Sequence, residues 1–431
     1  MKKPNKRFTG KLLTVALAVV MCLGMAVPAL ATGQNGEITG TEANPATAAI
    51  TKVLKMPEGT TTPNVTFGFN FVKKALNNNT GDADKALMPE ISNTQAIEFK
   101  VNDQGITVGS FKTATKEVEI NLTGVTFPYA GAYTYTLTEL QNITAGTINT
   151  DKETIAYSQA EYEITFYVSE GASGLYVSAI GTKIMKNEDG TAGSEAKVDP
   201  TPGTGGGLGA GGLVFTNSYN KTTGGLDPTV EANQTLAISH VVAGDFADTG
   251  KYFEYDVTVT KPVLNGAATT YKAYILNASG AIIDPATNAP GATIQTDTAG
   301  KKYFEFAADT LKTIKLKHNE KLVFTDVPVG ATYLAVDQGA ADYTPTAKIT
   351  INGVMLPELS ALVGQSLSSG NRMIGESANK AAFTNTHKAI PITGLIIDNL
   401  PFVMILVIAA AALVIFILVK SHKRRAYAAG N

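Results

Sequence analysis

Few residues in this chain are of types and spacings that could do chemistry, and those few recur. There are four histidines and one cysteine, Cys22. No His-Glu-x-x-His run and no cysteine cluster is present, so no metal site is expected. No Gly-x-Ser-x-Gly or other nucleophile arrangement appears. The glycine-rich run Pro202–Gly212 is followed by neither Gly-Lys-Ser/Thr nor a helix, so it reads as a flexible loop rather than a phosphate cradle. What remains is a set of landmarks that occurs twice. Ala49-Ile-Thr-Lys52-Val-Leu54 is echoed by Ala237-Ile-Ser-His240-Val-Val242. Gly131-Ala-Tyr-Thr-Tyr135-Thr-Leu-Thr-Glu139 is echoed by Gly330-Ala-Thr-Tyr333-Leu-Ala-Val-Asp337, and Phe215-Thr-Asn217 by Phe383-Thr-Asn385. One copy carries Lys52, Glu139 and Asn217; the other carries His240, Asp337 and Asn385. The chemistry open to the first set is that of an amine, a carboxyl and a carboxamide.

The elements that must position these residues read as strands. Val65–Val72, Tyr133–Thr138, Glu161–Val168 and Tyr252–Val259 alternate apolar and polar residues, the pattern of half-buried antiparallel strands. Turn clusters such as Asn77–Gly81 and Asn187–Gly190 separate them. In each copy the acid lies four residues after a tyrosine, which puts both on one face of a strand. Long amphipathic helices are absent from the body of the chain. The expected class is all-β, with two tandem sandwich domains over 45–220 and 229–388. The turn-rich segment Lys221–Pro228 links them.

Both ends carry export signals. Lys2, Lys3, Lys6, Arg7 and Lys11 precede or open the apolar stretch Leu12–Val27, and Ala29-Leu-Ala31 follows, so residues 1–31 read as a signal peptide. Cys22 leaves with it. The exported chain then has no thiol, and its domains hold by packing or by some other cross-link. Between Thr32 and Thr393, 36 acids outnumber 26 bases, a net charge of −10. That balance argues against nucleic acid as a partner. At the far end come Ile390-Pro391-Ile392-Thr393-Gly394, an apolar run over 395–419 and a basic cluster ending at Arg425. The run is long enough to span a bilayer, with the basic cluster on the cytoplasmic side. This order resembles the cell-wall sorting signal of sortase substrates (Leu-Pro-x-Thr-Gly, helix, basic tail), with Ile390 in place of Leu. The resemblance implies attack by a sortase thiol on the Thr393 carbonyl and transfer to an amine. The membrane would then hold the chain only before sorting. The implied location is the cell wall of a Gram-positive-type envelope, with peptidoglycan or a neighbouring subunit as covalent partner.

The three repeated landmarks, in this order, resemble the isopeptide-linkage family of streptococcal-type backbone pilins, whose domains are immunoglobulin-like (CnaB-type) sandwiches. In that family a lysine of the first strand bonds to an asparagine of the last, and a buried glutamate catalyses the step. Carried over, Lys52 is the amine, Asn217 the electrophile and Glu139 the catalyst. Burial makes a lysine a nucleophile and a glutamate a proton carrier, and a carboxamide releases ammonia. Lys55 is the alternative amine, although Lys52 matches the phase of the repeat. The second copy departs from the pattern. His240 and Asp337 replace Lys and Glu, and only Asn385 remains, so no Lys–Asn bond is expected there. A His240–Asp337 hydrogen bond is expected instead. Lys197, ahead of the glycine-rich run, is the candidate acceptor that links subunits. The resemblance implies a backbone or base pilin. The alternative is a wall-anchored adhesin or stalk that does not polymerise, with a host surface ligand. Glu139 acts once on its own chain, and no turnover enzyme or cofactor is expected.

Overall fold

A computed structural model describes residues 37–388 and 400–428, apart from 93–94, 205–207 and 210. The signal segment 1–31 and the pentapeptide Ile390–Gly394 lie outside the described residues. The body of the chain is all-β, as its alternation predicts. Three of the runs read as strands fall within Val65–Leu76, Gly131–Gly146 and Glu161–Glu170, and the fourth is the strand Phe253–Thr260, one residue later than read. At the turn after Val65–Leu76, Asn77 and Asn78 adopt the left-handed conformation that asparagine tolerates. The Asn77 Oδ1 atom also accepts the Ala132 N–H at 2.8 Å, which fixes the start of the next long strand.

Among the described residues, the strands up to Lys221 form one sheet of six and one of five. In the five-stranded sheet the opening strand Ala49–Pro57 lies between Phe111–Glu119, antiparallel, and the closing strand Leu213–Lys221, parallel. The inner faces of the two sheets share a core that includes Ile50, Leu54, Phe67, Phe69, Leu137 and Phe215. From Leu236 onward the design repeats with a sheet of ten strands and another of five. Here too the opening strand Leu236–Ala243 runs parallel to the closing strand Lys380–His387. A second core, with Ile238, Tyr255, Phe306, Phe324 and Phe383 among its members, fills the space between the sheets.

The two units touch at Glu376. Its carboxylate accepts the Thr61 N–H at 2.8 Å and the Thr61 hydroxyl at 2.7 Å, and it pairs with Lys221 at 2.9 Å. The Val329 N–H donates to the Lys221 carbonyl at 2.8 Å, tying the end of the first closing strand to the second unit. The C-terminal helix spans Leu400–Ala428. Pro401 lies in its first turn, where a missing N–H costs nothing. Leu400–Ser421 is long and apolar enough to cross a membrane, and it is unburied by the rest of the chain.

Candidate functional site

Strand periodicity aims the first triad inward. On the opening strand Ile50, Lys52, Leu54 and Met56 share the buried face, while Lys55 is exposed on the other. On the closing strand the parallel register sets Phe215 beside Lys52 and Asn217 beside Leu54. Asn217 therefore lies one inward position beyond Phe215 and next to the lysine. Glu139 comes from the facing sheet, on Gly131–Gly146, where it pairs with Phe69. The ladder between those two strands slips register between Phe67 and Phe69, a bulge that re-aims side chains at this point.

The three groups converge on one atom. Glu139 Oε1 lies 2.8 Å from Lys52 Nζ and accepts the Asn217 Nδ2–H at 2.8 Å. Lys52 Nζ also donates to the Phe215 carbonyl at 3.1 Å and sits 4.8 Å from the centre of the Phe67 ring. The Asn217 carbonyl faces away and accepts the Ser158 N–H at 2.8 Å. Lys52 and Asn217 are fully buried, and Phe215 packs its ring against Phe69 and Tyr162. Tyr135 and Leu137, which precede the glutamate on the same face of its strand, are buried. Burial lowers the Lys52 ammonium to about 8, against the raising effect of Glu139. Burial likewise raises the Glu139 carboxyl, against the lowering effect of Lys52. Both shifts favour the neutral pair. Glu139 Oε2 has no hydrogen-bond partner, a costly position for an ionised oxygen and a tolerable one for a protonated acid.

The second unit repeats the register and changes the contacts. His240 lies beside Phe383 and Val242 beside Asn385, while Asp337 faces from the other sheet, paired with Tyr255. Asp337 Oδ2 accepts the Asn385 Nδ2–H at 2.6 Å. His240 does not reach Asp337, contrary to expectation. Its Nδ1 shares a 2.6 Å hydrogen bond with the Tyr255 hydroxyl, and its Nε2 has no partner. Imidazole is shorter than a lysine chain and aspartate shorter than glutamate, so a gap opens that the Tyr255 hydroxyl fills. Tyr255 stands where the first unit has Phe69. Burial, and then the charge of Asp337, push its phenol well above the usual 10. The Asn385 carbonyl oxygen has no donor, unlike that of Asn217.

Lys197 is exposed and pairs with Lys183 by an isolated bridge at the edge of the six-stranded sheet. The glycine-rich run, read as a flexible loop, is tied down in its described part: Glu117 accepts the N–H groups of Gly203 and Gly209 at 2.6 and 2.7 Å. Gly212 approaches the Asp199 carbonyl so closely that a Cβ would meet its oxygen at 2.0 Å. Sequence reasoning missed Ser158, whose contribution is a backbone N–H and leaves no trace in residue type. It also missed Tyr255, for which a signal exists. Aligning Phe67-Gly-Phe69 with Phe253-Glu-Tyr255 would have shown a hydroxyl gained where Lys and Glu are lost.

Residues 48–220 match the family model of the Spy0128-like isopeptide containing domain. Residues 234–387 match a different model, a domain of unknown function, DUF7601. No curated protein matches the chain. Among solved structures, the chain is similar to the major pilin from Streptococcus pyogenes, at 18% identity over 80% of this chain and 100% of that one, with a TM-score of 0.32. It is also similar to the T-13 major pilin of Streptococcus pyogenes, at 17% identity over 82% of this chain and 100% of that one, with a TM-score of 0.31. The family match agrees with the resemblance read from the sequence over residues 48–220: that part of the chain is a Spy0128-like isopeptide containing domain.

Proposed function

We propose that this chain is a backbone or base subunit of a pilus. In this reading a sortase anchors it through Thr393, and a Lys52–Asn217 bond stiffens the first of two domains, 45–220 and 229–388. The observation that carries the bond is the single oxygen, Glu139 Oε1, at 2.8 Å from both the amine and the carboxamide nitrogen. Neutral Lys52 attacks Asn217 Cγ, and the Ser158 N–H stabilises the charge that develops on Oδ1. Glu139 takes a proton from Nζ and delivers one to Nδ2, which leaves as ammonia. One amide replaces another, and no oxidant or cofactor takes part. The closed loop from Lys52 to Asn217 would stabilise the fold by roughly 3–5 kcal/mol, by analogy with a disulfide loop.

Intact mass of the exported protein tests the bond. We expect a deficit of one ammonia that disappears in Lys52→Ala, Glu139→Ala and Asn217→Ala. A deficit of two would refute the inert second domain. A deficit that survives in Lys52→Ala and vanishes in Lys55→Ala would move the bond to Lys55. The chain lacks the Tyr-Pro-Lys-Asn pilin motif, which favours a second reading as a wall-anchored adhesin or stalk that does not polymerise. A denaturing gel of enzymatically released wall material separates the two. A ladder of multimers that collapses in Lys197→Ala supports the pilin, and a single band supports the stalk.

A further inference from the structure

Eight described residues other than glycine have positive φ, and Phe246 (φ 58°) is the one apolar residue among them. It is also 95% exposed. A bulky side chain in that region is strained, and such strain persists where surrounding structure enforces it. Here the enforcement is visible. The His387 ring donates from Nδ1 to the Asp245 carbonyl at 2.9 Å on one side of Phe246. On the other side the Asp248 N–H donates to the Tyr343 hydroxyl at 3.0 Å. The neighbouring loop presents Leu362, 79% exposed, and Val363. It hangs from the same tyrosine, whose carbonyl accepts the Gly364 N–H at 2.9 Å. The pole thus carries a braced apolar tip.

The chain leaves the domain at this pole. The Lys388 N–H donates to the Asp342 carbonyl at 2.7 Å, and the apolar helix begins at Leu400. The intervening residues 389–399 reach about 40 Å at full stretch. A helix that spans the bilayer therefore holds the tip over the lipid surface. We infer that Phe246, Leu362 and Val363 dock the second unit on the outer face of the membrane before sorting, inserting apolar side chains among the lipid headgroups. The proposal rests on reading the helix as a membrane span. The charges at the pole are mixed, with Asp245, Asp248 and Asp342 beside Lys251 and Lys388, so apolar insertion rather than charge attraction drives the contact.

The chain contains no tryptophan, which gives a clean probe. Phe246→Trp is placed in the full chain and reconstituted in phosphatidylcholine vesicles carrying brominated acyl chains. Leu226→Trp, at a 93% exposed site in the linker between the units, is the control. We expect several-fold quenching of the tryptophan in Phe246→Trp, little in Leu226→Trp, and no change with salt. A chain that does not float with the vesicles would overturn the membrane span and the docking together. A chain that floats with both tryptophans equally affected would overturn the docking alone. Shielding of the tryptophan in Phe246→Trp that grows with protein density but not with brominated lipid would assign the tip to a second copy and overturn the lipid partner.

Discussion

The two units of this chain share a register and differ in what the register holds. In the first, Lys52, Glu139 and Asn217 share one carboxylate oxygen, and a backbone N–H waits on the carbonyl that would take up charge. In the second, Asp337 still holds Asn385, but the amine is replaced by His240 and the Asn385 carbonyl has no donor. The Tyr255 hydroxyl occupies the gap and satisfies one ring nitrogen of the histidine. The first arrangement is suited to making a bond. The second is a buried polar network that keeps the geometry of such a site without its nucleophile or its oxyanion donor. The two units thus differ at three matched positions, Lys against His, Glu against Asp and Phe against Tyr, and in the donor to the asparagine carbonyl, while the parallel pairing of first and last strands is common to both.

Mechanics should show the largest difference. In both units a load between the termini shears the opening strand against the closing strand, because the two run parallel and side by side. In the first unit the Lys52–Asn217 bond would carry that load; in the second only hydrogen bonds and packing do. Pulled from its ends in single-molecule force spectroscopy, the chain should yield one extension step. That step releases roughly 150 residues, on the order of 500 Å of chain less the folded span. Two such steps would show that the first unit lacks its bond. Glu139→Ala should add the second step.

Acid should separate the units next. Burial, and then the neighbouring His318, hold His240 down to about 3, against 6.5 for a free histidine. Between those values the unfolded chain takes up a proton that the folded chain refuses, so the stability of the second unit is full above pH 6.5 and is lost as pH falls toward 3. Asp337, raised by burial, offsets part of this loss at the acid end, since its folded form binds a proton first. Calorimetry from pH 7 to pH 4 should show the second unit's transition falling further than the first's. His240→Gln should flatten the difference. A slope unchanged by that substitution would place the acid sensitivity elsewhere.

Tyr255→Phe should give the smallest of the three effects. It restores the residue type found at Phe69 but leaves both nitrogens of a buried imidazole without partners. The expected cost is about 1–3 kcal/mol, confined to the second unit's transition in a thermal or denaturant melt. A neutral outcome would mean that His240 finds another partner when the hydroxyl is gone.

Much of this comparison was legible in the chain itself. The landmarks around Lys52, Glu139 and Asn217 and their echoes stood at matching places, and alternation alone required strands that turn those residues inward. Alternation sets Lys52 and Lys55, three residues apart, on opposite faces of one strand but does not by itself say which face is covered. Packing put Lys52 inside and Lys55 out. The His240–Asp337 bond expected from sequence fails because two shortened side chains cannot close a gap between sheets. Residue types record chemistry but not reach.

What the sequence determined by itself is local and periodic: strand identity, the repeat, the polar types at three positions, and an apolar helix long enough to cross a membrane. Tertiary packing adds where facing sheets bring distant residues. It placed one Glu139 oxygen between an amine and an amide 165 residues apart, set the Ser158 backbone against Asn217, and stood the Tyr255 hydroxyl in the place of a lost amine. The physical reason is that strand pattern fixes which face a side chain takes, whereas sheet-on-sheet packing, with its bulges and registers, fixes what that face meets.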